Sequence, residues 1–232
     1  MSEWDSIWQR ACERHGQERL REHFPRVARP AELRGLGDDR YLAMMSMRVF
    51  AAGFRWRVIQ AKWAGFEEAF HGFDPGWVAN LDAEGVEALA QDTRIVRNRP
   101  KILSTVANAA FVQQISNDHG GFGDWLAAWP VEDTLGLWEA LKKGGDRLGG
   151  DTGAWFLRLV GRDTFRFSAD VSAALVAAGV VPKAPTGKGH QRLAQAAIVG
   201  WSQESGLSLG AVSVVLACST GEVYSRTSAQ VT

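Results

Sequence analysis

Apolar residues recur at helical spacing along nearly all of this chain. Trp4, Ile7, Trp8 and Ala11 share one face and predict an amphipathic first helix. A second helix from about residue 17 should stop near Pro25, and residues 25–39, with Pro30 and two glycines, read as a connection. Dense apolar positions from Tyr41 to Lys62 predict helix on both sides of Gly53. A glycine inside a helix costs about 1 kcal/mol against alanine, so Gly53 marks a break or a close approach of the backbone. Further helices are predicted near 65–71, 76–81 and 83–91, the last with Asp82 as its N-cap. Residues 93–114 carry a longer helical pattern that Pro100 kinks or divides. Short helices follow over 121–129 and 135–141, then a hairpin over 142–153 and helices over 154–159 and 169–178. A loop at 182–189 with two prolines and two glycines precedes helices over 190–204 and 209–218 and a polar tail. No strand pattern survives comparison with the helical one, and no internal repeat is present, so the expected fold class is all-α.

Composition narrows the class further. The 232 residues suffice for one large domain or two closely packed lobes. Apolar residues at 46% and charged residues at 22% are ordinary for a soluble globular protein. No stretch approaches the roughly 20 apolar residues needed to cross a bilayer, so no membrane association is expected. The N-terminal Met1-Ser2-Glu3-Trp4-Asp5 carries acids and no apolar run, which argues against a secretory signal. Cys12 and Cys218, far apart, do not form a disulfide framework, and the cytoplasm is the expected compartment.

A net charge of zero argues against coating nucleic acid by bulk electrostatics, although one positive face would suffice for local contact. Basic residues do cluster: Arg94, Arg97, Arg99 and Lys101; Lys142, Lys143 and Arg147; and Lys183, Lys188 and Arg192. Each cluster reads either as a solvated surface or as a contact. Ten tryptophans against two tyrosines is an unusual balance. Most indoles must be core, with one or two left to line a pocket for a planar ligand.

Three stretches together carry a resemblance. They are Ala52-Gly53-Phe54-Arg55-Trp56; Phe66-Glu67-Glu68-Ala69-Phe70 followed by Gly72-Phe73-Asp74-Pro75; and Ile95-Val96-Arg97-Asn98-Arg99-Pro100-Lys101-Ile102, with Ala107-Asn108-Ala109 after it. In order and spacing they resemble the 3-methyladenine DNA glycosylase I (Tag) family of the helix-hairpin-helix glycosylase superfamily, over about residues 38–115. Leu148-Gly149-Gly150-Asp151-Thr152-Gly153 resembles the superfamily's hairpin. Glycines there permit a tight turn whose amides can bind a backbone phosphate.

The resemblance implies a helix-hairpin-helix glycosylase-like fold, two helical lobes around a central cleft. Residues 40–180 would form the core, and 1–39 with 181–232 the second lobe. It also implies a base pocket at Trp56, Arg48 and Phe50, with Trp56 matching a base-stacking tryptophan. A core role for Trp56 is the alternative. Phe54 matches a loop position that wedges into the duplex. Gly53, Phe54, Arg97, Arg99, Lys101, Gly149, Gly150, Thr152 and Gly153 are the implied DNA-contacting set.

The chain departs from the family at several positions. The family's base-contacting glutamate position holds Arg48, which cannot accept a hydrogen bond from an adenine amine or stabilise a cationic base. Arg48 is left with four readings: a phosphate contact, an ion pair with an acid, an acceptor edge of a base, or a buried structural pair. The family's pocket tyrosine has no clear match. In the superfamily's aspartate slot stands Ser168, with Asp170 two residues later; Asp170 is the candidate catalytic carboxylate, or else a first-turn residue behind an N-cap Ser168. Asp151 stands where a lyase would carry its amine-bearing lysine, so no lyase activity is expected. A family-like zinc site would need Cys12, His15, His190 and Cys218, which are wrongly spaced, so neither metal nor cofactor is expected.

The implied function is a monofunctional base-excision repair glycosylase. It would act as a monomer, hydrolysing the N-glycosidic bond of alkylated purines, 3-methyladenine-like, in damaged duplex DNA. Two alternatives stay open: a non-catalytic DNA-binding member with a degenerate base pocket, and a helical protein-interaction module.

Overall fold

Helix caps and aromatic stacking set the architecture. The computed structural model describes residues 2–220, and every regular element among them is helical. The polar tail beyond residue 220 lies outside the described residues. The all-α expectation holds. Among the described residues two compact units emerge, one comprising Ala28–Trp129 and Gly136–Arg162, the other residues 2–27, Pro130–Leu135 and residues 163–220.

The first unit is built on a long helix, α9 (Arg99–His119), with α4 (Asp38–Ala51), α7 (Pro75–Ala79), α8 (Ala83–Gln91) and α10 (Phe122–Ala128) against it. Pro100 neither kinks nor divides α9. It sits in the first turn, where a missing N–H is tolerated, and Asn98 caps the helix by accepting from Lys101 N at 3.2 Å. Residues 93–98, expected to be helical, are therefore turn and extended chain. The stretch 25–39 is not all connection either, since α3 (Pro30–Gly35) begins on Pro30 and packs on α10.

An aromatic stack explains the second family-like stretch. Trp63 and Phe66 stack within α6 (Trp63–Ala69), Phe70 and Phe73 continue the stack, and Trp63 lies 5.3 Å from Phe73. Glu67, between them, accepts both arms of the Arg40 guanidinium at 2.9 and 3.0 Å. Asp74 then caps α7 by accepting from Trp77 N at 2.6 Å, with Pro75 at the first helical position. These motif residues hold the core rather than reach for a ligand.

In the second unit α15 (Leu209–Thr220) is apolar on every side and is enclosed by α1 (Glu3–His15), α2 (Gln17–Glu22), α13 (Ala169–Ala177) and α14 (Lys188–Ser205). Its first amides are satisfied by Asp163, which accepts from Leu209 N at 2.9 Å and Gly210 N at 2.8 Å. Trp4 lies 6.3 Å from both Trp8 and Trp201, so three of the ten tryptophans pack together here. No helix among the described residues is long and apolar enough to cross a membrane.

Candidate functional site

The site grows from the end of α4. Gly53, at φ 78°, breaks the helical pattern, and α5 (Trp56–Ala61) restarts at Trp56. A helix end leaves carbonyls without intrahelical donors. Lys101 supplies donors there: its Nζ reaches the carbonyl of Phe50 at 3.0 Å and that of Ala52 at 2.5 Å. The same ammonium lies 4.6 Å from the Phe54 ring centroid, an electrostatically favourable place for a cation. Lys101 is thus buried and engaged with the backbone, so the expectation of a phosphate contact is corrected to a strut beneath the loop. Burial, with a smaller push from nearby Arg147, holds its pKa below the ordinary lysine value. Above it Phe54 is 44% exposed, displayed as a wedge would be.

Arg48 projects from the last turn of α4, and its guanidinium carbon lies 5.2 Å from the Trp56 ring centroid and 4.9 Å from that of Trp155. Arg158 approaches Trp155 at 6.0 Å. Both indoles are half-buried. Trp155 and Arg158 belong to α12 (Asp151–Leu159), the helix that leaves the glycine hairpin and packs on α4. Sequence reasoning missed both, because nothing local sets Trp155 apart from a core indole. Phe50, expected in the pocket, is fully buried with its ring edge-on to Phe66 at 4.7 Å, so it is a core residue. Tyr41 supplies no pocket hydroxyl either: it is fully buried and its OH donates to Leu33 O at 2.7 Å.

The hairpin is shorter than expected, since α11 (Thr134–Gly144) and α12 leave only residues 145–150 between them. Fully buried Ser104 and Asn108, one helical turn apart on α9, hold it. Asn108 Nδ2 donates to Asp146 O at 3.1 Å, and Asp146 N donates to Asn108 Oδ1 at 2.7 Å. Ser104 Oγ donates to Asp146 Oδ2 at 2.7 Å. Gly153 is a close-approach residue, because a Cβ there would stand 2.3 Å from the Leu148 carbonyl oxygen. Gly150, at φ 59° and ψ −135°, makes the turn into α12 and offers its first amides no side-chain cap. Gly150 is exposed, Gly149 and Thr152 half-exposed, and exposed Arg147 itself holds a positive φ of 59°. An uncapped helix start beside basic residues suits a phosphate oxygen, though Asp151 in the first turn opposes one.

The basic run divides. Arg94 pairs with Asp92 at 2.7 Å and Glu68 at 3.1 Å, whereas Arg97 is exposed and Arg99 only approaches Glu87 at 3.7 Å. Arg48, Phe54, Trp56, Trp155, Arg97, Arg99 and the hairpin all belong to one unit, and Asp170 to the other. Ser168 does cap α13, accepting from Val171 N at 3.2 Å, which puts Asp170 in the first turn. Thr220 Oγ1 donates to the Asp170 carbonyl at 2.9 Å. Burial, reinforced by the Asp170 carboxylate, pushes the Cys218 thiol up to about 11. Both cysteines are unbridged, and no group of three or more His, Cys, Asp or Glu among the described residues is placed to hold a metal.

Comparison with known proteins agrees with this geometry. Residues 34–141 match the family model described as methyladenine glycosylase. Over 75 residues the chain is 36% identical to DNA-3-methyladenine glycosylase 1 of Escherichia coli K12 and 31% identical to DNA-3-methyladenine glycosylase of Haemophilus influenzae. Each match covers 32% of this chain and 40% of the relative. The crystal structure of a 3-methyladenine DNA glycosylase I variant with bound 3-methyladenine superposes at a TM-score of 0.51 and 22% identity, covering 62% of this chain and 84% of that one. The Staphylococcus aureus 3-methyladenine DNA glycosylase I superposes at 0.50 and 23% identity, over 62% and 83% of the two chains. The fold is that of the 3-methyladenine DNA glycosylase I structures, and residues 34–141 are similar to the methyladenine glycosylase family.

Proposed function

We propose that this protein is a monofunctional DNA glycosylase of base-excision repair, hydrolysing the N-glycosidic bond of a modified purine in duplex DNA. The observation that carries the reading is the grouping of half-buried Trp56 and Trp155 about Arg48, beside the exposed Phe54 and the glycine hairpin. Each part has a physical task. An extrahelical base needs aromatic faces to replace its lost stacking. An apolar wedge fills the gap it leaves in the duplex, and Phe54 is displayed for that. Backbone amides at the start of α12, with Arg147, Arg97 and Arg99, hold phosphates and set the register without reading sequence. 3-Methyladenine is the base in the names of the matched relatives, and alkylated purines of that kind are the proposed substrates.

Hydrolysis breaks the C1′–N9 bond and adds water oxygen to C1′; the water's proton goes to the base if it leaves as an anion and to solvent if a cationic alkylated base leaves neutral. With Asp151 in the lyase lysine's place, strand cleavage is not part of the reading, and no cofactor or metal is assigned a role. A single chain on damaged duplex DNA is the proposed working form, in the cytoplasm.

A second reading also has an observation behind it. Arg48 lies over the same indole faces that a base would use, which favours a DNA-binding member without chemistry. Release of free base from modified duplex DNA, abolished in Trp56→Ala with the fold intact, supports the enzyme. Duplex binding without release supports the alternative.

A further inference from the structure

The segment that carries the wedge also carries charge, and that charge bears on how the loop holds its partner, an inference that rests on the duplex DNA of the proposed function. Residues 40–66 hold five cations, Arg40, Arg48, Arg55, Arg57 and Lys62, and no acid. Arg40 is neutralised by Glu67, and the Lys62 ammonium donates to Thr93 O at 2.6 Å. Arg55 and Arg57 flank Trp56 in the chain. Both are exposed, and neither has an ion pair or a side-chain hydrogen bond among the described residues. Phe54 and Val58 bracket the two arginines, 44% and 41% exposed.

An exposed arginine standing alone is an ordinary surface residue. Here two unpaired guanidiniums and two exposed apolar side chains fall within five successive residues. The loop that bears them is already fixed, because Lys101 Nζ bonds the Phe50 and Ala52 carbonyls beneath it at 3.0 and 2.5 Å. Little ordering entropy is therefore left to lose on binding. Exposed Arg147 adds to the same positive field, close enough to Lys101 to push its pKa down. The complement of a surface that is cationic and apolar, and free of acids, is a polyanion with an apolar interior. Duplex DNA opened at an extruded base offers both, phosphates outside the gap and base faces within it.

We infer that Arg55 and Arg57 bind backbone phosphates beside the gap that Phe54 fills, so that the wedge loop grips the duplex by charge as well as by insertion.

The two grips differ in kind. Each phosphate contact releases condensed counterions, so it weakens as salt rises and is blind to sequence. Insertion of Phe54 offsets lost stacking, an apolar contact that releases no counterions. The arginines thus set where the wedge enters, and the wedge holds the duplex open.

The test measures the affinity of the full chain for a duplex carrying a tetrahydrofuran abasic analogue, from about 50 to about 200 mM salt. Arg55→Gln and Arg57→Gln should each lower the slope of log affinity against log salt by about one, and the double variant by about two. Arg55→Lys and Arg57→Lys keep the charge and should keep the wild-type slope. Phe54→Ser should weaken binding at every salt concentration without moving the slope. Wild-type slopes in both Gln variants, with wild-type circular dichroism, overturn the inference. Unmoved duplex slopes with lost binding to anionic phospholipid vesicles overturn it in favour of a membrane surface. Base release by the wild-type protein from modified duplexes tests the glycosylase reading separately. Release with unmoved slopes removes only the phosphate contacts, and moved slopes without release leave those contacts in a DNA-binding protein. No duplex binding by the wild-type chain removes both.

Discussion

Lys101 reaches from the first turn of α9 to the end of α4, where its ammonium donates to the Ala52 carbonyl at 2.5 Å. It also bonds Phe50 O and lies under the Phe54 ring. One buried cation thus fixes the loop that presents Phe54 and starts the helix bearing Trp56. Lys101→Met keeps the stem and removes the donor, leaving two carbonyls unsatisfied. Stability in urea should fall by about 1–3 kcal/mol. The salt dependence of duplex binding should keep its slope, because no phosphate contact is lost.

Arg147 differs on both counts. It is exposed in the hairpin at φ 59°, a strained backbone for a residue with a Cβ. Arg147→Gly should raise stability by about 1 kcal/mol while weakening duplex binding. In a titration of affinity against salt, the slope should fall by about one unit. Weaker binding with an unchanged slope would deny Arg147 a phosphate.

Asn108 holds the Asp146 peptide by donor and acceptor together, fully buried. Asn108→Ala breaks both bonds and leaves the hairpin's backbone groups without partners, so a loss of about 2–3 kcal/mol is expected in thermal unfolding. Amide exchange around residues 145–150 should rise more than in the centre of α9.

Much of this was legible in the sequence. Helical spacing identified the fold class and most elements, and Asp82 and Ser168 announced the starts of their helices correctly. Pro100 misled because a proline suits a first turn as well as a kink, and only the Asn98 cap distinguishes them. Pro30 opened a helix in an apparent linker for the same reason. Trp56 and Arg48 were named from motif positions, and the structure brings them within 5.2 Å. Phe50 and Lys101 point inward, which motif position alone does not reveal. Trp155 is distant in the chain from Arg48, and no periodicity links a residue of α12 to one of α4. A formal count of charge likewise hides that Arg94 is paired while Arg97 is exposed.

Trp155 supplies a prediction that the motif match does not, since it lies beyond the matched residues 34–141. Trp155→Ala should reduce base release at least as strongly as loss of a stacking face implies, about tenfold or more from roughly 1–3 kcal/mol per base. Duplex affinity, carried mainly by phosphate contacts, should change little. Equal losses in release and affinity would make Trp155 a structural residue only.

The central claim is hydrolysis of a base–sugar bond, and the most direct measurement is free base released from duplex DNA carrying modified purines, resolved by chromatography. The account predicts a released purine, one abasic site per base, no strand cleavage, and no release from Trp56→Ala. Tight duplex binding with no released base from any modified purine would contradict it and leave a DNA-binding protein on a glycosylase fold.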